Sequence, residues 1–130
     1  MKVALDTNAY SDWKRGVLWS GIISTAAEVH ISTIVLGELR YGFACGNTDL
    51  KNNRELEAFL KDPVVMLDLV SAETTYHYAQ LKKFLRQVGK LIPENDIWIA
   101  ASCLEHGSTL LTSDRHFEEL PQVSVLWPAQ

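Results

Sequence analysis

Short apolar runs that alternate with longer segments of helical pattern constrain this chain most. Residues 2–5, 29–32, 64–67, 108–112 and 123–126 each read as a strand. Between the first two, residues 9–27 read as helix or turn. A cap at Ser32 or Thr33 opens a helix to about residue 45, stopped by Gly46-Asn47. Residues 48–62 form a charged amphipathic helix with Leu56, Phe59 and Leu60 on one side, broken by Pro63. Tyr78, Leu81, Leu85 and Val88 recur at helical spacing within residues 72–88, and residues 96–105 are apolar nearly all round, as in a buried helix. A short helix is expected from Asp114. Strands parted by helices predict an α/β architecture: a central, mostly parallel five-stranded sheet flanked by helices. The 130 residues suit one domain, residues 1–130, large enough to bury a core without disulfides.

Four acids stand at telling places on this scaffold. Asp6 closes Val3-Ala4-Leu5, and Asp114 follows Thr109-Leu110-Leu111-Thr112-Ser113, so both sit at predicted strand ends. Glu38 lies inside an apolar helix with Ile34, Val35, Tyr41 and Gly42 one turn away, and Asp96 opens Ile97-Trp98-Ile99-Ala100-Ala101. Ligands of open α/β sheets bind beyond the carboxyl ends of the strands, where Asp6 and Asp114 are expected. Each acid has an ordinary reading alone: Asp6 an Asx turn, Glu38 a partner of Arg40, Asp96 and Asp114 helix N-caps. Together they favour a joint role. Four carboxylates in one pocket are stable only around a cation, which points to a divalent-metal site acting on a phosphodiester.

Composition narrows the partners. A net charge of −4 argues against a protein that coats nucleic acid, yet allows one that cuts it, since a bound cation would cancel charge where the substrate docks. Cys45 and Cys103 fall in no metal or redox spacing and read as reduced thiols in apolar surroundings. That usage fits a reducing cytoplasm, no signal peptide is visible, and the longest uncharged run, residues 17–27, is too short and too polar to span a bilayer. A cytoplasmic protein without membrane contact is expected.

The blocks Leu5-Asp6-Thr7-Asn8, Gly37-Glu38-Leu39-Arg40-Tyr41-Gly42, Ile92-Pro93-Glu94-Asn95-Asp96-Ile97-Trp98-Ile99-Ala100-Ala101 and Leu111-Thr112-Ser113-Asp114 occur in an order that resembles a PIN domain. More narrowly, they resemble VapC-type toxins of bacterial and archaeal toxin–antitoxin pairs. The resemblance spans nearly the whole chain, and its first and third blocks are the most specific. It implies an endoribonuclease dependent on Mg²⁺ or Mn²⁺, with Asp6 and Asp96 as direct metal ligands and Glu38 and Asp114 holding a second ion or positioning water. Thr7 and Ser113 are the hydroxyls expected to support that site, while Ile99 and Phe117 stand where some PIN domains carry a further acid. The resemblance also implies a homodimer, an RNA substrate, and a small cognate antitoxin that binds operator DNA for the pair.

Remaining features are weaker. Lys82, Lys83, Arg86 and Lys90 form a basic stripe, either a solvated face or a track for RNA phosphates. Arg40 is a candidate for RNA contact or for a salt bridge. His30, His77, His106 and His116 show no ligand spacing and read as surface or capping residues, with His116 singled out by its closeness to Asp114. The four tryptophans read as core or interface anchors. An aspartyl-phosphate phosphatase would want an acid where Asn8 stands, and a phosphoacceptor domain built on Asp68 would lack its acid pair and lysine. A silent RNA- or protein-binding module and a housekeeping nuclease of the same fold stay open as alternatives.

Overall fold

A computed structural model describes residues 1–129. Five strands, β1 (Lys2–Leu5), β2 (Glu28–Ser32), β3 (Val65–Asp68), β4 (Thr109–Leu111) and β5 (Val125–Leu126), form one sheet in the order β3-β2-β1-β4-β5. Every pairing is parallel, so the expectation of a mostly parallel sheet is met in full. Helices α1 (Thr7–Lys14) and α2 (Ser20–Thr25) cross from β1 to β2. α3 (Thr33–Ala44) and α4 (Asp49–Leu60) cross from β2 to β3, and α5 (Ala72–Val88) and α6 (Glu94–His106) cross from β3 to β4. A 3₁₀ turn, Arg115–Glu119, leads to β5.

Position in the sheet explains the strand sequences. In central β1, Val3, Ala4 and Leu5 are all buried, which is why the strand reads as an unbroken apolar run. Edge strand β3 instead leaves Met66 and Leu67 part-exposed. Aromatic contacts tie the helices together: Tyr10 and Trp13 of α1 meet Phe59 of α4 with centroids 5.3 Å apart, and Tyr78 of α5 stacks on Trp98 of α6 at 3.9 Å. Ends follow from local chemistry. Ser32 Oγ accepts from the Val35 amide to cap α3, Ser71 and Thr74 form a reciprocal box at α5, and Gly89 and Gly107 take the left-handed conformation that closes α5 and α6.

Two expectations fail here. Cys45 is exposed rather than apolar in its surroundings, while Cys103 is buried as expected. His30 is no surface residue: β2 is the second strand of the sheet, so its inward side chains are covered, and His30 lies in the interior. Among the described residues no helix is long and apolar enough to cross a membrane.

Candidate active site

Strand order places the site. Connections run outward from β1 through β2 to β3, then return to the other side of β1 for β4 and β5. The carboxyl ends of β1 and β4 therefore flank the point where the winding reverses, the usual ligand crevice of such a sheet. Asp6 leaves β1 there. Its Oδ1 accepts from the Ala9 amide at 2.8 Å, so one carboxylate oxygen caps α1 and the other faces the crevice. Leu5 pairs with Leu111 across the strands, which brings the next residues, Asp6 and Thr112, side by side. The Thr112 hydroxyl donates to Asp6 Oδ2 and accepts from the Asp114 amide at 2.9 Å, tying both strand-end acids to one buried group.

The two helical acids arrive from either side. Glu38, on α3, accepts from Thr7 Oγ1 at 2.6 Å and from Asn95 Nδ2 at 3.2 Å, and these neutral donors aim its carboxylate without neutralising it. Asp96 is not the N-cap that one reading of the sequence allowed. Pro93 holds that position, and Asp96 lies in the first turn of α6, where the helix dipole favours a carboxylate. Asp114 does cap the following turn, accepting from the His116 amide at 2.9 Å.

Asp6, Thr7, Asn8, Glu38, Asp96, Ile99 and Asp114 line one cavity of about 180 Å³. With a water's share of liquid volume at roughly 30 Å³, that space suits an ion with part of its hydration shell. Electrostatics ask for a cation. Burial, with Asp114 and Asp96 adding repulsion, pushes the Asp6 carboxyl up to about 6 against the lowering effect of Thr112 and the Ala9 amide. Burial and then Asp114 also raise Asp96. His116 Nδ1 stands 3.0 Å from Asp96 Oδ2 and 3.1 Å from Asp114 Oδ1, between two carboxylates. The lining carboxylates offer the oxygen donors that hard divalent ions prefer, and the ligand atoms of Asp96, Asp114 and His116 lie within 4.8 Å of one another.

Comparison with known proteins places the chain in a family. A family profile described as PIN domain matches residues 3–123. Ribonuclease VapC2 of Rickettsia felis is 33% identical over 96 residues, 73% of this chain and 70% of that protein. Ribonuclease VapC2 of Haemophilus influenzae is 32% identical over 124 residues, 92% of each. The chain belongs to the VapC family of PIN domains. The solved structure of VapBC2 from Rickettsia felis, bound to a DNA fragment from their promoter, superposes with a TM-score of 0.85 at 28% identity, covering 99% of this chain and 100% of that one.

Within this VapC-family domain the other expected site residues divide. Thr7 reaches Glu38, but Ser113 is exposed and lines a separate surface cavity with Arg115 and Trp127. The hydroxyl that reaches Asp6 belongs to the fully buried Thr112 and not to Ser113. Ile99 lines the cavity as an apolar wall and Phe117 is core, so neither adds an acid. Arg40 pairs with Glu57 at 2.6 Å and bonds Asn53, away from Glu38. Lys82 pairs with Glu94 at 2.6 Å, and with Lys83 and Arg86 it borders a groove of about 730 Å³ between α5 and α6. Glu94 lines that groove two residues before Asp96, so groove and acidic cavity adjoin along the first turn of α6.

Thr112 and Asn95 escaped the sequence reading, since neither hydroxyl nor amide stands out without the fold. Thr112→Val keeps the shape and removes both hydrogen bonds. It is expected to lower RNA cleavage about 10–100-fold, in the manner of groups that orient metal ligands, and to cost roughly 1–3 kcal/mol in urea unfolding. Thr112→Ser, which restores the hydroxyl, should recover most of the rate. A Val variant with unchanged rate and metal dependence would remove Thr112 from the site.

Proposed function

We propose that this chain is the toxin of a toxin–antitoxin pair, a metal-dependent endoribonuclease that hydrolyses RNA phosphodiester bonds. The observation that carries the reading is the convergence of Asp6, Glu38, Asp96 and Asp114 on one small cavity at the switch point, in a chain of the VapC family. Asp6 and Asp96 are the proposed direct ligands of Mg²⁺ or Mn²⁺, with Glu38 and Asp114 completing the acidic wall. A bound ion of this kind supplies Lewis acidity, offsetting charge that builds on the phosphate and making water more acidic.

The chain's own residues do the rest. Burial raises the Asp6 and Asp96 carboxyls, so a cation held between them would favour their charged form. Glu38, aimed by Thr7 and Asn95, is placed to accept a proton from attacking water. His116, between Asp96 and Asp114, holds the two carboxylates in place at the edge of the cavity. Ile99 keeps one wall apolar, which limits bulk water and strengthens the carboxylates' field. Lys83 and Arg86 along the adjoining groove offer phosphate contacts that position the RNA strand. By similarity to VapBC2 of Rickettsia felis bound to promoter DNA, the proposed partners are a small antitoxin and, through it, operator DNA; a second copy is proposed from the sequence resemblance alone.

Incubation of the purified, antitoxin-free chain with a structured RNA pool tests the reading. Cutting is expected with Mg²⁺ or Mn²⁺ and none with EDTA. Intact RNA in both metals, across the whole pool, would leave a binding module instead.

A further inference from the structure

Far along α6 from Asp96 lies a second cluster that the proposed nuclease does not use. His30 of β2 and Asp68 of β3 are interior, with side chains 5% and 6% exposed, and His106 ends α6 beside them at 30%. His30 Nδ1 stands 2.9 Å from both oxygens of Asp68, and His30 Nε2 stands 2.8 Å from Glu28 Oε1. The His106 ring stacks on His30 with centroids 5.4 Å apart. Its Nε2 is buried without a hydrogen-bond partner, 3.6 Å from Asp68 Oδ1 and 3.7 Å from Glu105 Oε1. Glu105 is itself held by Ser71 and Thr74.

The arrangement is short of one positive charge. A neutral imidazole has a single N–H, so His30 between two carboxylates must otherwise present a lone pair to one of them. A proton can supply the charge, and the hydrogen bond to Asp68 does raise the His30 pKa. A proton on His30, however, leaves the His106 nitrogen orphaned. Ligand bonds of ~2.0–2.2 Å put two donors on one tetrahedral ion roughly 3.2–3.6 Å apart. The 3.6 Å from His106 Nε2 to Asp68 fits that span and is too long for a hydrogen bond. His30 Nδ1 and Asp68, now hydrogen-bonded at 2.9 Å, would move ~0.3–0.7 Å apart to admit the ion. Glu28 on the far ring nitrogen of His30 is the outer carboxylate that metal-bound imidazoles usually have; with the proton on Nε2, the Nδ1 lone pair facing Asp68 is the donor an ion would take.

We propose that His30 Nδ1, Asp68 and His106 Nε2 form a second metal site, built for an imidazole-loving divalent ion of the Zn²⁺ class. All three donor atoms lie within 4.8 Å of one another. Two nitrogens and one oxygen suit Zn²⁺ better than Mg²⁺, so the site does not compete for the nuclease ion. The partly exposed face of His106 gives the ion its way in. Bound there, it joins β2 and β3 to the end of α6, the helix whose first turn carries Asp96 about 15 Å away, and its role is to hold that helix in register.

The test uses the full chain carrying Asp96→Asn and His116→Ala, which removes the other group able to take Zn²⁺, the one formed by Asp96, Asp114 and His116. Titration calorimetry with Zn²⁺ in excess Mg²⁺ is expected to give one ion per chain, release of about one proton judged from buffers of different ionisation enthalpy, and an upward Tm shift of several degrees. Adding His106→Ala, a substitution at a partly exposed helix end, should weaken uptake at least tenfold. In the unmutated chain, NMR should show Zn²⁺ moving the ring nitrogen signals of both His30 and His106. No uptake in the Asp96→Asn, His116→Ala chain, uptake unchanged by His106→Ala, or unmoved His30 and His106 signals would each overturn the proposal. None of these readouts depends on RNA cleavage, so a failed nuclease assay leaves the result standing.

Discussion

Asp6→Asn and Asp96→Asn should each lower metal-dependent RNA cleavage by at least about 10³-fold, roughly 4 kcal/mol of lost transition-state stabilisation, while the chain stays folded. Both replacements are nearly isosteric, and the local structure tolerates them. Asn keeps a carbonyl oxygen for the Ala9 amide, so the cap on α1 survives at position 6. Thr112 can accept from the new amide in place of donating to Asp6. What disappears is charge. Four carboxylates line one cavity; they would hold the ion, and the charge stabilisation it would supply falls with each negative charge removed. Single-turnover cleavage of one defined RNA, with Mg²⁺ varied at each variant, separates lost ion affinity from lost rate. A loss that saturating Mg²⁺ restores means Asp6 or Asp96 only recruits the ion. A loss that persists means the carboxylate also shapes the reacting geometry. Full activity in both variants would end the nuclease assignment of this cavity.

The sheet was legible because its central strand is buried on both faces. Val3-Ala4-Leu5 cannot be an amphipathic surface segment, and its abrupt end at Asp6 marks the crevice. The four acids were legible for the related reason that apolar surroundings make a carboxylate conspicuous. Boundaries were harder. The apolar run marks a third strand at residues 64–67, yet Asp68 also pairs with Ser32 and turns inward to His30. Pro93-Glu94-Asn95 looked like an entry ahead of a capping Asp96, but the proline's own φ of −56° already suits the cap position, so the helix starts earlier. The choice between Thr112 and Ser113 turns on the Leu5–Leu111 register, which sets Thr112 beside Asp6 and which spacing alone does not reveal. His30, Asp68 and His106 lie on β2, on β3 and at the end of α6, and only the crossovers bring them together.

Asp6 should make the metal-free chain lose stability, relative to Asp6→Asn, as pH rises from about 4 to about 6. Hydrogen bonds hold Glu28 and Glu94 below their usual range, and at Glu105 they outweigh burial, so these three contribute in the opposite direction. The sign follows from Asp6. Its carboxyl ionises at about 6 in the folded chain and near 3.8 when unfolded, with burial the main cause and Asp114 and Asp96 adding to it. Between those values the folded state binds the extra proton, so stability is greatest below the unfolded pKa and falls as pH rises through the folded one. A shift of about two units corresponds to about 3 kcal/mol, and Asp6 is only 5% exposed, so little solvent screening reduces it. Asp96, also raised by burial and by Asp114, adds a fall of the same sign. Urea unfolding in EDTA at several pH values should therefore show the wild type declining relative to Asp6→Asn, which becomes the more stable protein above pH 6. Mg²⁺ should reverse the trend, because a divalent ion binds the ionised carboxylates and its stabilisation grows with pH. A metal-free wild type that is as stable at pH 7 as at pH 4.5, relative to Asp6→Asn, would mean that the carboxylates are already relieved by a group within the chain. His116, set between Asp96 and Asp114, is the group placed to do that.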